Sequence, residues 1–164
     1  MNYKEGLQPI IGNNPRILIL GSLPGDESLR KQEYYGNPKN MFWDVMNGIL
    51  GEPVPVQYAK KVDYLKRHGI ALWDVLHVAE RAGSLDANIR NGEFNDIERL
   101  ISENPSIAVI ATNGGEAEKS FRKYLRRHPS IIGHRICYCK STSPMVLCSG
   151  WNLDKLIEQW REIL

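Results

Sequence analysis

The strongest constraint on this chain is an alternation of short apolar runs, each ending abruptly in turn formers, with segments long enough to be helices. Arg16 to Gly21 (RILILG) stops at Ser22, Pro24 and Gly25, which reads as a buried strand delivering the chain into a loop. Ile70 to Val75, Ile107 to Thr112 and Arg135 to Cys139 have the same character. Between them, Asn40 to Leu50 places Phe42, Trp43, Met46 and Ile49 at helical spacing. Gln57 to His68 is amphipathic, with Gly69 placed to end it in a left-handed conformation. Asn95 with Glu98 resembles a capping box opening a helix that ends before Pro105, and further helices are expected from about Glu116 to Arg127 and from about Asn152 to Ile163. Strands joined by helix-length crossovers pair in parallel. The expected fold is therefore α/β, a three-layer α/β/α sandwich around a mainly parallel four-stranded sheet. Its ligand-binding loops leave the carboxyl ends of the strands, at Ser22 to Lys39, Leu76 to Asn91, Asn113 to Gly115 and Lys140 to Gly150.

Composition narrows the function classes. With 164 residues, 42% of them hydrophobic and 24% charged, the chain can bury one core, so residues 1–164 are expected to form a single domain. No stretch approaches the roughly 20 apolar residues of a membrane helix, and MNYKEGLQPI lacks the apolar run of a secretory signal. A soluble, cytoplasmic protein without a membrane partner is expected. Cys137, Cys139 and Cys148 are too few for a four-thiolate metal site and odd in number for a disulfide framework, so they read as buried free thiols and no metal is expected. The net charge of +2 does not announce a nucleic-acid partner, but basic residues crowd Lys119 to Lys140, Arg126 and Arg127 among them. Such a run either neutralises phosphates or forms a solvated helix face. The glycines after the first strand match neither G-x-G-x-x-G nor the P-loop pattern, which argues against a nucleotide cofactor.

The first loop is rich in Gly, Pro, Asn and aromatic residues for a simple connector, which marks it for function. ILILGSLPG, YYGNPKNMFW, ALWDVL and STSP, in that order, resemble the uracil-DNA glycosylase superfamily, closest to its hypoxanthine-DNA glycosylase branch. The N-x-F-W segment is also similar to that of mismatch-specific uracil glycosylases. The resemblance runs from about Arg16 to Leu164 and implies a cofactor-free, monomeric, monofunctional DNA glycosylase. Its substrate would be DNA carrying a deaminated or mismatched base, with hypoxanthine favoured.

Carried over residue by residue, the resemblance implies a base pocket bounded by Ser22 and Leu23. Leu23 stands where many members carry the Asp or Asn that handles the attacking water. An asparagine further along, Asn37 or Asn40, is left to do so, and Asn40 is favoured because it opens a helix; its alternative is a simple N-cap. Phe42 resembles the aromatic that stacks on the extruded base, with Trp43 left to the core. Asp74 aligns with the Asn that reads the base edge. As an ionised acceptor it would take a ring N–H of hypoxanthine or uracil and reject adenine, unless following turn amides satisfy it. Ser141 takes the place of the His that stabilises the departing base, Ser143 and Pro144 those of phosphate contacts, and Met145 that of the wedge entering the vacated stack. Gly25 replaces a Tyr that narrows uracil-specific pockets, which implies room for a purine unless Tyr34 or Tyr35 refills the space. Asn113 reads as a helix N-cap. Two rivals remain at this point: a catalytically silent DNA-binding member, kept open by Leu23, and a nucleotide-cofactor enzyme.

Overall fold

A computed structural model of the chain describes residues 3–164. Its elements begin with strands β1 (Tyr3–Glu5) and β2 (Ile17–Gly21) and helices α1 (Asp26–Lys31), α2 (Phe42–Leu50) and α3 (Tyr58–Arg67). Strands β3 (Ile70–Asp74), β4 (Leu76–Glu80) and β5 (Arg90–Phe94) follow, then helix α4 (Ile97–Glu103) and strand β6 (Val109–Asn113). Helix α5 (Gly115–Arg127), strand β7 (Arg135–Cys139) and helix α6 (Leu153–Trp160) complete the order. No helix among the described residues is long and apolar enough to cross a membrane.

β3, β2, β6 and β7 lie side by side in that order, every neighbour parallel. The pleat of β2 sorts its apolar run onto two cores. Ile17 and Ile19 pack with Met46 of α2, Leu65 of α3 and Trp160 of α6, while Leu18 and Leu20 pack with Ile101 of α4 and Phe121 of α5. This is the expected three-layer sandwich, and burial on both faces explains why β2 is apolar throughout rather than alternating. Ile19 is fully buried, so Ile19→Ala removes both transfer energy and packing, a loss of about 2–5 kcal/mol.

Three local expectations change. Asp96, not Asn95, caps α4, accepting from the Arg99 amide at 3.2 Å. Asn95 is buried and donates to the carbonyls of Asp74 and Leu76, bracing the turn between β3 and β4. The supposed loop from Leu76 to Asn91 contains β4 and the start of β5; β4 pairs antiparallel with both β1 and β5 in a second sheet ordered β1-β4-β5. β5 (RNGEF) is polar and largely exposed, with irregular register against β4, so it carries no apolar pattern to announce a strand. Cys137 and Cys139 are buried thiols as expected, but Cys148 is exposed.

β2 leaves the sheet toward the α2 layer, whereas its neighbour β6 leaves toward the α5 layer. The diverging connections open a crevice at the carboxyl edge of the strands, where ligands bind in sheets of this kind.

Candidate active site

A cavity of about 710 Å³ occupies that crevice, bounded by the β2 loop from Gly21 to Ser28, Asp74 at the end of β3, Asn113 at the end of β6, and Lys140 to Val146 after β7. Tyr35, Asn37 and Asn40 close its remaining side.

One wall is a continuous hydrogen-bonded clamp. Asn113 Nδ2 donates to the Tyr35 hydroxyl at 3.1 Å and to Thr142 Oγ1 at 3.0 Å, and Asn113 Oδ1 accepts from the Thr142 amide at 3.0 Å. The Thr142 hydroxyl then donates to Asn40 Oδ1 at 2.8 Å, and Met41 N–H donates to the Thr142 carbonyl. Asn40 Oδ1 also accepts from Phe42 N–H at 2.9 Å at the start of α2. The carboxamide oxygen is thus fixed from two sides, leaving its NH₂ group to meet water or ligand. Asn37 is exposed and its oxygen serves a local turn, accepting from Lys39 N–H. Asn113 does not cap α5 with its side chain; Gly114 takes the N-cap position.

Phe42 is fully buried, and its face is covered by Tyr35, whose ring stacks on it at 4.0 Å and 14°. The expectation that Phe42 offers an open face is corrected: Tyr35 is the ring on the cavity wall and Phe42 backs it. Tyr35 holds a left-handed backbone at φ 54°, an uncommon conformation for a bulky residue, and its hydroxyl bond to Asn113 helps fix it. Tyr34 is buried and donates to the Gln8 carbonyl, so it belongs to the core.

The opposite wall is ionic. Asp74 is 5% exposed, and burial, reinforced by Asp86 and opposed by Arg81, pushes its carboxyl up to about 7. Arg81 is fully buried; it donates to the Leu23 and Pro24 carbonyls and lies 3.5 Å from Asp86. Ser22 donates to Asp86 at 2.9 Å, and Leu23 buries its side chain against Leu76 and Ala79. Ser22 and Leu23 therefore build the wall without offering their side chains to a base.

At the mouth, Ser141 Oγ accepts from Ser143 N–H and Ser143 Oγ accepts from Met145 N–H, a pair of short turns that present Pro144 and an exposed Met145. Gly25 faces Ser84, which a Cβ would meet at 3.4 Å, so part of the room expected there is taken. Arg126 and Arg127 lie away from the cavity, because α5 runs back along the sheet and they end it, roughly 17 Å from its first turn. Lys140 is an exposed basic residue on the cavity wall, unlike the buried Arg81, with its ammonium over the Trp151 ring.

Thr142, Arg81 and Asp86 carry no expected site role from the sequence, and Tyr35 entered only as a ring that could refill the space beside Gly25. Tyr35 and Thr142 sit inside recognisable motifs; Arg81 and Asp86 carry no local signal, since a buried Arg in VAERAG looks like a surface one.

Comparison with known proteins agrees with this architecture. The family model described as the uracil DNA glycosylase superfamily matches residues 9–163. The chain is 42% identical over 123 residues to the hypoxanthine DNA glycosylase of Methanosarcina barkeri (strain Fusaro / DSM 804), covering 73% of this chain and 78% of that one. It is 44% identical over 115 residues to the protein of the same name from Methanosarcina acetivorans, covering 70% and 73%. A solution NMR structure of a Methanosarcina acetivorans protein described as a candidate uracil DNA glycosylase superposes with a TM-score of 0.82 at 36% identity, covering 98% of each chain. On matched length, identity and fold together, the chain belongs to the uracil DNA glycosylase superfamily.

Proposed function

We propose that residues 1–164 act as one monofunctional DNA glycosylase domain, monomeric and cytoplasmic, that hydrolyses the N-glycosidic bond of deaminated bases and favours hypoxanthine. The observation that carries this reading is the Asn40 carboxamide, clamped by Thr142 and the α2 backbone beside a cavity at the carboxyl edge of the sheet. The similarity to two hypoxanthine DNA glycosylases supports the choice of base.

In this reading the extruded base stacks on Tyr35, with its edge toward Asp74. Asn40 N–H donates to a water and leaves that water a lone pair aimed at C1′. As the C1′–N bond breaks, its electron pair passes to the base while the water oxygen bonds to C1′; the surplus water proton ends on solvent or the released base. The Ser141 hydroxyl, whose oxygen already accepts from Ser143, keeps its own proton to donate to the departing base. Met145, 60% exposed at the mouth, fills the vacated stack, while Ser143, Pro144 and Lys140 meet phosphate.

Duplexes carrying deoxyinosine, deoxyuridine, xanthosine or a G·T mismatch, treated with alkali after incubation, test this directly. Hypoxanthine should leave faster than uracil in single turnover, as the cavity retains room for a bicyclic base beside Tyr35. Faster uracil release would make this a uracil enzyme; duplex retention without base release would make it a silent DNA-binding member.

A further inference from the structure

Among the described residues, Asp74 has no counter-ion of its own. Its Oδ2 is buried without a hydrogen-bond partner among the described residues, while Oδ1 lies so close to Gly21 that a Cβ there would come within 2.5 Å. The ionisable groups facing it are Arg81 and Asp86 from the segment between β4 and β5, and Tyr34 and Tyr35 from the first loop. Only Arg81 is a cation, and it is committed elsewhere, to the Leu23 and Pro24 carbonyls and to Asp86. Asp86 also accepts from Ser22, so of the two carboxyls it is the one equipped to be ionised. A buried carboxylate with neither donor nor counter-ion is costly.

On the base-release reading above, we propose that Asp74 meets the extruded base as a carboxylic acid, held in that form by its burial and by Asp86, which also keeps Arg81 engaged behind the first loop. An acid donates one hydrogen bond and accepts another, which matches the adjacent ring N–H and carbonyl of hypoxanthine, xanthine or uracil. A carboxylate would instead set like charge against the carbonyl oxygen. As the glycosidic bond breaks, charge spreads to that oxygen, so the O–H···O bond strengthens toward the transition state without any proton changing hands. The acid form gives up the rejection of adenine expected of a carboxylate, since its proton can sit on either oxygen. Adenine in sound pairs is then protected by the cost of extruding it.

The test follows single-turnover hypoxanthine release from a deoxyinosine duplex between about pH 5.5 and about pH 9 for the parent, Asp74→Asn and Asp86→Asn. The parent rate should fall about tenfold per unit above a midpoint near 7. Asp74→Asn, which keeps a donor and an acceptor but cannot titrate, should lose that fall whatever its rate. Asp86→Asn should move the midpoint to lower pH, because it removes a like charge and frees Arg81 to face Asp74. A fall that persists in Asp74→Asn, or a midpoint unmoved in Asp86→Asn, overturns the proposal.

Melting curves without DNA separate this proposal from the base-release reading. A carboxyl whose folded pKa is raised contributes stability that is present below its unfolded value of about 4 and lost as pH rises through about 7. The gain in Tm of Asp74→Asn over the parent should therefore grow from about pH 5 to about pH 8. An equal gain at both pH values refutes the proposal even if no duplex releases a base, whereas a growing gain without base release supports the acid form and rejects only the assigned reaction.

Discussion

The two walls of the cavity are built on opposite principles. On the Asn40 side, the polar groups of Tyr35, Asn113, Thr142 and Asn40 are joined in one hydrogen-bonded series that ties the loop before α2 and the loop after β7 to the end of β6. On the Asp74 side, Asp74 Oδ2 and Arg81 Nε are buried without partners among the described residues. A satisfied network fixes geometry, whereas buried atoms left unpaired store a cost that a ligand can relieve. The first wall is suited to holding a water-orienting amide still, and the second to recognising what enters.

The comparison breaks most readily at Asn40. Asn40→Ala should lower single-turnover base release by about 100-fold or more, on the order of 3 kcal/mol, with duplex affinity little changed. A nearly normal Asn40→Ala beside an inactive Asn37→Ala would transfer the role to Asn37 and detach the clamp from catalysis. Tyr35→Ala comes next, with a loss of about tenfold, within the 1–3 kcal/mol typical of a base stacked on an aromatic ring. A faster Tyr35→Ala would instead make Tyr35 a lid over Phe42 and restore Phe42 as the stacking ring.

Smaller effects sharpen the contrast. Thr142→Val removes the hydroxyl that links Asn113 to Asn40 and with it two hydrogen bonds, and a loss of about five- to tenfold in rate with unchanged KM is expected from the bond to Asn40. An equal loss of stability and no loss of rate would reduce the clamp to a fold element. The smallest effect concerns phosphate. Lys140→Ala should flatten the salt dependence of duplex binding by about one unit in the log–log slope, while replacing Arg126 and Arg127 together should leave it unchanged. The reverse result would place DNA along α5 rather than across the cavity.

The layers were readable because each signal is local. RILILG is apolar on both faces of its strand, Gly69 follows α3 at the left-handed φ of 70° expected of it, and Asn152 caps α6 by accepting from Lys155 N–H. Asn40, Asp74, Ser141 and Met145 were legible as cavity residues through the resemblance of their motifs to the uracil-DNA glycosylase superfamily, and all four line the cavity. Asp74 was nevertheless read as an ionised acceptor, since nothing near it in sequence reveals that burial and Asp86 raise its pKa.

The amino-acid sequence by itself determined the four-stranded parallel sheet, the helices that flank it and most of the loops at its carboxyl edge, though not the β1-β4-β5 sheet, since periodicity and turn chemistry act over a few residues and β5 carries neither signal. Tertiary structure alone decided which groups face each other across those loops. It placed Tyr35 over Phe42, Arg81 under Leu23 and Pro24, and Thr142 on Asn40 across 102 positions of chain. It also set the end of α5, with Arg126 and Arg127, away from the cavity, a choice that charge density along the sequence had left open between phosphate contact and a solvated face. The physical reason is that burial, counter-ions and hydrogen-bond partners are set by what folds against a side chain, and these contacts join residues far apart in sequence.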